Sequence, residues 1–515
     1  MNTFKRKALA SAVLGTLGIA GTAHAIYQDP NGLGQALIYP YYTVNSDPNG
    51  NPFWTLFSVV NTTTDVKVVK VRFREGKASA EVLDFNLYLS PNDVWTGAVI
   101  PASADASSPA HLVTADLSCT NPKIPATGVD FRNYQYVGAN DDPLADTLDR
   151  TREGYAEMFE MGILPQPGQL SSAAIHTSTG TPTCAGLTGS NLSASVGLSI
   201  TAPTGGLSGT GTIINVLSGR DTMYNANAFT DWVVGTAAYS DIGNDAPNFS
   251  QTTPEDSVVV KGPTHAAPGI TTVYLSSFPG GSVASAGAMA ASSTMMHSNV
   301  INEYILDAAT NSDTDWVFTF PTKRLFVTTA TAQPPFTAPL TSSGACETIS
   351  FTYFNREEGS ATASGVDFSP LPPGAAANSL CYESTILSFR NGSGNAPTSP
   401  DTPSLVLGSQ NVTAVSVTPS YQNGWANVTF TGTQALVPGL TADPAFSSSL
   451  TYNETTGLGV ATFTAPPSPN VFFGLPVVGF MVRTYANGLL SCSGASCLGN
   501  YMASVQHNYV TTATP

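Results

Sequence analysis

Residues 66–75, VKVVKVRFRE, decide the class of fold, because apolar and cationic side chains alternate along them. In an extended chain, successive side chains point to opposite faces. The two faces of this segment are formed by Val69, Val71 and Phe73 and by Lys70, Arg72 and Arg74, respectively. This period of two indicates a β-strand and predicts that it has one buried apolar face and one solvated cationic face.

Similar short runs surround this strand, and they are rich in Val, Phe, Tyr, Thr and Leu. Turn-forming clusters such as SDPNGNP and SPND separate them. The runs are QALIYPYYTV (35–44), FWTLFSVVNTT (53–63), AEVLDFNLYLS (80–90) and VWTGAVIP (94–101). Strands so close in sequence pair antiparallel. We therefore predict a mainly β fold, built of antiparallel β-sandwich domains with one inserted helical segment.

The chain has 515 residues, which is too long for a single core. Within it, GYAEMFEMGIL (154–164) favours a strand, because Gly154 and Gly162 weaken a helix. Residues 283–309 contain apolar residues at roughly helical intervals and predict one helix, with a break near Ser298. The predicted organisation is a signal peptide (1–25), an N-terminal sandwich (26–280) with a Gly/Ser/Thr-rich insertion (about 177–212), a helical and Pro-rich connection (281–340) and a C-terminal sandwich (341–515).

The first 25 residues have the three parts of a secretory signal. A cationic start at residues 5–7 precedes an apolar run at residues 8–20, and Ala23-His24-Ala25 supplies a small-x-small cleavage site. The pattern predicts export to the periplasm, the outer surface or the medium. No later apolar run is long enough to span a bilayer as a helix, so we expect no transmembrane helix.

Acidic residues outnumber basic ones, 35 to 19, which gives a formal net charge of −16. Such a chain repels nucleic acid and anionic lipid headgroups, so we expect neither as a partner. Only 10% of the residues are charged, so Ser, Thr, Asn and Gly must supply most of the polar surface. We do not expect intrinsic disorder, because hydrophobic residues make up 42% of the chain and charged residues are few.

The chain has six cysteines and no C-x-x-C motif, and no histidine follows them at zinc-ligand spacing. An even number in an exported protein predicts disulfides. Fifteen pairings are formally open. We favour the sequence neighbours, which are Cys119–Cys184, Cys346–Cys381 and Cys492–Cys497.

Three stretches support a resemblance: GQALIYPYYTVN (34–45) with the block at residues 64–99, TDWVFTFPTKRLFV (314–327) and GLPVVGFMV (474–482). Together they resemble a group of uncharacterised exported proteobacterial proteins, among them cell-surface proteins. The resemblance implies a place outside the cytoplasm, in the envelope or at the surface. It carries no activity, cofactor or site residues to this chain.

A search for catalytic motifs gives only weak candidates. The G-x-S-x-G elbow of α/β-hydrolases is absent, and no spacing singles out a histidine beside a serine. Glu157 with Glu160, and Glu357 with Glu358, are carboxylate pairs of the kind that glycosidases use. The five tryptophans lie inside apolar runs, which predicts that they are in the core and do not line a sugar site. We expect neither a catalytic nor a cofactor-binding residue.

Oxygen-rich loops are candidate sites for a structural calcium ion, because Ca²⁺ prefers carboxylate and amide ligands on flexible turns. Asx turns explain the same residues without a metal. The candidate ligands are Asp141, Asp142, Asp313 and Asp315. We expect no other cofactor.

The sequence as a whole predicts a non-enzymatic structural or adhesive protein of the envelope or exterior. Its expected partner is a cell surface, a matrix or a second copy of the chain. Two alternatives stay open, namely a secreted hydrolase of polysaccharide or protein and an outer-membrane β-barrel.

Overall fold

The structure is a computed structural model. It describes residues 25–178, 180–253, 255–261, 270–362, 379–391, 403–417, 419–430, 434–437, 449–453, 458–461, 471–492 and 495–514. The protein is mainly β, with 46% strand and 9% helix, and its strands pair mostly antiparallel, as predicted. Most of the predicted signal peptide lies outside the described residues. No described helix is long and apolar enough to cross a membrane.

The strands of the first half alternate with short turns. They are β1 (Tyr27–Gln28), β2 (Ala36–Thr43), β3 (Trp54–Asn61), β4 (Val66–Glu75), β5 (Glu81–Leu89), β6 (Val94–Pro101), β7 (Ala110–Val113), β8 (Cys119–Asn121), β9 (Val129–Asp130), β10 (Glu153–Leu164), β11 (Leu207–Asn215), β12 (Arg220–Asn225), β13 (Asn227–Thr230), β14 (Asp256–Lys261) and β15 (Ile270–Ser277). Strand β11 begins at Leu207, so the last residues of the predicted insertion belong to a strand.

The second half continues with shorter strands. They are β16 (Met296–His297), β17 (Asn299–Ile305), β18 (Ser312–Thr319), β19 (Glu347–Asn355), β20 (Ser360–Thr362), β21 (Ser379–Leu380), β22 (Ser384–Asn391), β23 (Val412–Val417), β24 (Asn423–Phe430), β25 (Ala435–Leu436), β26 (Ser449–Asn453), β27 (Leu458–Ala461), β28 (Val471–Phe473), β29 (Leu475–Pro476), β30 (Phe480–Cys492), β31 (Ala495–Gln506), β32 (Asn508–Val510) and β33 (Thr512–Thr514). The described α-helices are α1 (Gln169–Ala174), α2 (Val196–Ser199) and α3 (Ala286–Ser293).

These strands form five main sheets. Sheet 1 has the order β1-β13-β2-β10-β4-β5-β8, sheet 2 β12-β11-β3-β6-β7-β9, sheet 3 β14-β15-β26-β27, sheet 4 β20-β19-β24-β17-β32, and sheet 5 β23-β22-β18-β30-β31. Two small sheets pair β16 with β29 and β28 with β25 and β33. Among the described strand pairs, only β22 and β23 run parallel.

Sheets 1 and 2 form a sandwich. Its interior contains Phe57 of β3, Phe73 of β4 and Trp95 of β6, all nearly or fully buried. Phe57 and Phe73 meet edge to face, with ring centroids 5.3 Å apart. This cluster also includes Val317 and Phe480 of sheet 5, so the two halves of the chain share one core. Burial of these rings stabilises the sandwich.

Strand β4 is buried along its whole length, on both faces. The prediction of a solvated cationic face was therefore wrong. Sheet 1 is the middle layer of the molecule, because its second face is also covered. The apolar part of that face packs with Phe159 and Phe229 against the second half of the chain. The cationic part is covered by a loop, described below.

The predicted strand at residues 154–164 is confirmed as β10, which lies between β2 and β4. Gly154 is required there, since a Cβ atom at this position would lie 1.9 Å from the carbonyl oxygen of Arg74. This close approach lets β10 pair with β4 over its full length. It places the side chains of Glu157 and Glu160 on opposite faces of the sheet.

The predicted helix at residues 283–309 was only partly right. The helix α3 covers residues 286–293, and residues 296–305 form β16 and β17. The reason lies in the spacing: Met296, Val300 and Tyr304 recur every four residues, which suits a helix, but the same spacing also places Val300 and Tyr304 on one face of the strand β17. All three are buried, and in β17 the exposed and buried positions alternate.

Two contacts join the edges of sheets 2 and 5. The Ser504 hydroxyl of β31 donates to the backbone carbonyl of Met223, and the Asn500 amide donates to that of Ser218 at 2.8 Å. Beneath this edge, the rings of Tyr224 and Phe480 stack with centroids 4.6 Å apart. The first and second halves of the chain are thereby held together at the surface as well as in the core.

Candidate functional site

The strongest concentration of charge is the outward row of β4, formed by Lys70, Arg72 and Arg74. None of the three side chains is more than 2% exposed. A loop of residues 241–247, here called the covering loop, lies over them. Buried charges require partners, because an unpaired ion in a protein interior is strongly destabilising. The structure supplies such partners from three directions.

The first partner is Glu157 on β10. One of its carboxylate oxygens accepts hydrogen bonds from Arg72 Nη1 and Arg74 Nε, both at 2.8 Å. Burial by itself would raise the pKa of Glu157, but the guanidinium groups of Arg74 and Arg72 outweigh it and hold that pKa below its usual range. Glu157 is therefore a carboxylate shared by two arginines and is ionised in the fold.

The second partner is the covering loop itself. Arg72 donates to the carbonyl oxygens of Asn244 and Pro247, both at 3.0 Å, and Lys70 donates to that of Asp241 at 3.0 Å. Backbone carbonyls carry no charge, but they satisfy the donors that the carboxylates leave free. Ion pairs to β5 complete this arrangement. Lys70 lies 2.7 Å from Asp84, and Arg72 lies 2.5 Å from Glu81.

Asp245 is the charged member of the covering loop, and it joins two parts of the chain. Its carboxylate oxygens lie 2.8 Å from Arg74 Nη2 and 2.9 Å from Arg324 Nη1. Partial burial opposes ionisation of this group, but Arg74 and Arg324 dominate and hold the pKa of Asp245 well below its usual range. Through this contact the segment after β18 is fastened to sheet 1.

A polar cleft of about 290 Å³ opens beside this bridge. It lies where the β4–β5 turn, the covering loop and residues 324–340 meet. Its lining combines two guanidinium groups with three carboxylates, and consists of Arg74, Ala78, Ser79, Ala80, Glu81, Gln135, Asp142, Asp245, Arg324 and Leu340. We call it the bridge cleft. The charges of its walls nearly cancel, so it offers both hydrogen-bond donors and acceptors to a polar group.

A second buried hydrogen-bond network surrounds Glu153, the first residue of β10. One carboxylate oxygen accepts from the hydroxyl groups of Tyr41 at 2.7 Å and Ser409 at 2.5 Å. The other accepts from the backbone nitrogens of Gln410 at 2.8 Å and Asn411 at 3.1 Å. Burial raises the pKa of Glu153 although these hydrogen bonds oppose the shift. This carboxyl group ties sheet 1 to residues 409–411.

The structure separates the predicted calcium ligands into two places. Asp141 is exposed, while both carboxylate oxygens of Asp142 bind Arg150, at 3.0 and 2.9 Å. The acidic loop at residues 140–142 is thus linked to a guanidinium group of the fold. No group of three or more His, Cys, Asp or Glu side chains among the described residues is arranged to hold a metal ion.

Asp313 and Asp315 lie two residues apart on β18 and hence on the same face. Asp315 is fully buried and accepts hydrogen bonds from the backbone nitrogens of Val406 at 3.2 Å and Leu407 at 3.0 Å. Burial and the neighbouring Asp315 raise the pKa of Asp313 to about 6. Calcium binding at either aspartate pair stays a prediction.

The carboxylate pairs considered for sugar hydrolysis are not brought together across a cleft. Glu160 points away from Glu157 and binds Lys67 Nζ at 2.7 Å, and its two oxygens accept from the backbone nitrogens of Thr204 and Gly205. Glu357 and Glu358 lie on an exposed turn. Trp54 and Trp425 are 39% exposed, so the prediction that all five tryptophans are in the core was wrong for these two.

Two of the three predicted disulfides are confirmed. Cys119 pairs with Cys184, and Cys346 pairs with Cys381. Cys492 and Cys497 lie on the two strands of the β30–β31 hairpin, where only the backbone is described for residues 487–492 and 495–498. Their disulfide stays a prediction. Disulfides are typical of proteins that fold outside the reducing cytosol.

No protein-family model matches this chain, and a comparison with curated proteins gives no match either. The sequence had singled out Glu157 as one of a carboxylate pair, but it did not reveal that Glu157 and the covering loop meet on β4. The sequence contains one signal of this contact, which is the row of three cations on β4, because buried charges on a central strand require partners.

Proposed function

We propose that the protein is a non-enzymatic structural or adhesive protein that acts outside the cytoplasm, in the envelope or at the cell surface. One observation carries this proposal: the charged groups around the bridge cleft bind one another. Arg72 and Arg74 share Glu157, and Asp245 joins Arg74 to Arg324. Groups held this way stabilise a rigid scaffold, whereas a catalytic acid or base must be free to exchange a proton with substrate.

The surface chemistry and the disulfides support the same proposal. The chain has few charges, and its solubility depends on hydroxyl and amide side chains. The disulfide Cys119–Cys184 fastens the region after β10, which includes α1 and α2, to the edge of sheet 1. A rigid sandwich with crosslinked loops is a common framework for surface recognition. The signal-like N-terminus and the resemblance to exported surface proteins are consistent with this location.

The test compares a strain that lacks the protein with strains that express two versions of it. One version is the full chain, and the matched control lacks residues 2–25, so that it keeps residues 26–515 and loses the predicted signal. We expect the deletion to weaken attachment of cells to surfaces or to one another, and only the full chain to restore it. Fractionation of the same cells locates the protein.

A second measurement addresses the rival function. The purified protein is incubated with panels of polysaccharides and proteins, and soluble products are measured. If products are released, each carboxylate of the bridge cleft is then replaced in turn and the assay is repeated. Loss of product release in any of these variants would establish a hydrolase and contradict the proposal. Unchanged attachment in the deletion strain, with the protein recovered from the cytoplasm, would contradict it as well.

A further inference from the structure

The outward face of sheet 2 has an unusual composition for the surface of an acidic protein. Its inner positions pack in the sandwich, and its outer positions alternate with them along β3, β6 and β11. The outer positions of these three strands are apolar or small and hydroxyl-bearing. They are Trp54, Leu56, Ser58, Val60, Val94, Thr96, Ala98, Ile100, Ser208, Thr210, Thr212 and Ile214. We call this surface the sheet 2 face.

These outer positions contain no ionisable side chain, although the chain carries a net charge of −16. Charged groups near this face lie at its rim. Asp221 lies on β12 at one side, and the His111–Asp130 pair lies on β7 and β9 at the other. Copies of an acidic protein repel each other over most of their surfaces. The sheet 2 face is where a second copy approaches at the lowest electrostatic cost.

The apolar side chains of the face adjoin one another. Trp54 pairs across strands with Ile214, and Leu56 pairs with Thr212 on one side and Ala98 on the other. Leu56 is 39% exposed, and Met223 of β12, which neighbours Thr212, is 61% exposed. Contiguous exposed apolar surface of this kind marks an interaction site.

The size of the face suits a weak, transient contact. Its three strands of eight or nine residues are about 26 Å long, and adjacent strands lie about 4.8 Å apart, so the face covers about 370 Å². Two copies packed face to face would bury about 750 Å² in total, which is below the range of standard specific interfaces, so we expect the dimer only at high protein concentration.

We propose that a second copy of this chain docks on the sheet 2 face, with the two faces packed against each other as in a β-sandwich. Flat pleated faces are complementary in shape to themselves, and the same patch on both subunits gives a closed two-fold dimer. A polysaccharide is the less favoured occupant, because Trp54 is the one aromatic ring among the outer positions of β3, β6 and β11. The inference rests on the proposed structural or adhesive role, in which self-association links molecules.

The experiment measures the mass of the purified, disulfide-bonded protein by sedimentation equilibrium over a range of concentrations. The variants Leu56→Lys and Thr212→Arg place a cation at the centre of the face, and in a two-fold dimer the two cations meet. We expect a concentration-dependent dimer for the parent protein and a dissociation constant raised at least about tenfold in each variant. The matched control is Val260→Lys, at a position 52% exposed on sheet 3, and it should leave the dimer intact.

Circular dichroism and thermal melting first establish that each variant is folded. A parent protein that stays monomeric, or variants that dimerise like the parent, would overturn the inference. Binding of a neutral polysaccharide by a monomeric parent, with loss of binding in Leu56→Lys, would overturn it in favour of the other occupant. The attachment assay is run on the same variants. Normal attachment by a protein that does not dimerise refutes the docking while leaving the proposed function standing.

Discussion

Replacing Glu157 by alanine tests whether the buried charge network stabilises the fold. The substitution removes the carboxylate oxygen that binds Arg72 and Arg74, both at 2.8 Å, and leaves two guanidinium groups buried beside a vacated acceptor. Removing one partner from a buried ion pair costs about 3–5 kcal/mol. Asp245, Glu81 and the covering loop still contact the two arginines. We therefore expect a loss of about 4 kcal/mol.

This loss of unfolding free energy corresponds to a decrease in the melting temperature. The two halves of the chain share their core, so the protein should unfold as one unit. The entropy of unfolding of a chain of this length is about 1 kcal/mol per degree. The melting midpoint of Glu157→Ala should accordingly fall by about 4 °C in calorimetry or circular dichroism. Glu157→Gln keeps the oxygen but loses the charge, so its midpoint should lie between those of the alanine variant and the parent.

The matched control is Glu303→Ala, which removes an exposed ion pair. Glu303 lies 3.4 Å from Arg483, and these side chains are 71% and 30% exposed. Exposed pairs contribute less than about 1 kcal/mol, so the melting midpoint should fall by less than about 1 °C. Equal shifts for Glu157→Ala and Glu303→Ala would refute the reasoning, because the buried network would then contribute no more than a surface pair.

Three further predictions concern pH and crosslinks. Burial lowers the pKa of His297 and His507 to about 3, so the folded state favours the neutral rings. As the pH falls from about 6.5 to 3, the free energy of unfolding should decrease by about 1.4 kcal/mol per pH unit for each ring. His507→Gln should reduce this slope in urea unfolding. Burial raises the pKa of Asp313 to about 6, so its protonated form is favoured and stability is lost as the pH rises from about 4 to 6. Asp313→Asn should therefore be more stable than the parent at pH 8, by at most about 3 kcal/mol, and equal to it near pH 4; a constant difference would contradict this. Replacing Cys119 and Cys184 together by serine removes a crosslink between residues 65 positions apart. The free energy of unfolding in the same assay should fall by about 4 kcal/mol. An unfolding midpoint identical to that of the parent would count against a structural role of this disulfide.

The sequence identified the fold class because local periodicity determines it. The alternation in β4 and the glycines of β10 were sufficient to predict strands, and both strands are present. The same local information failed at residues 296–305, where a spacing of four fits two structures. Only tertiary pairing of β17 with β24 distinguishes between them.

The candidate site was harder to predict, because its partners are distant in the sequence. Arg72 and Pro247, whose contact covers the cationic face, are 175 positions apart. Period-two patterning shows that Arg72 and Val71 face opposite ways, but it does not show what lies beyond either face. The acidic loop at Asp141 and Asp142 resembled a calcium site for the same reason: Asp142 binds Arg150 of the fold, which no local pattern reveals.

The carboxylate of Glu153 has a consequence for the order in which the chain acquires its structure. Two of its four hydrogen bonds come from backbone nitrogens of residues 410 and 411, more than 250 positions downstream. In the export that we propose, a chain that crosses a membrane from its N-terminus has β10 on the far side long before those donors arrive. Until they do, closing the first sandwich would bury an acid that lacks three of its four hydrogen-bond donors. In that case the native state could be completed only after residues 409–411 have crossed, and chaperones would have that interval in which to act.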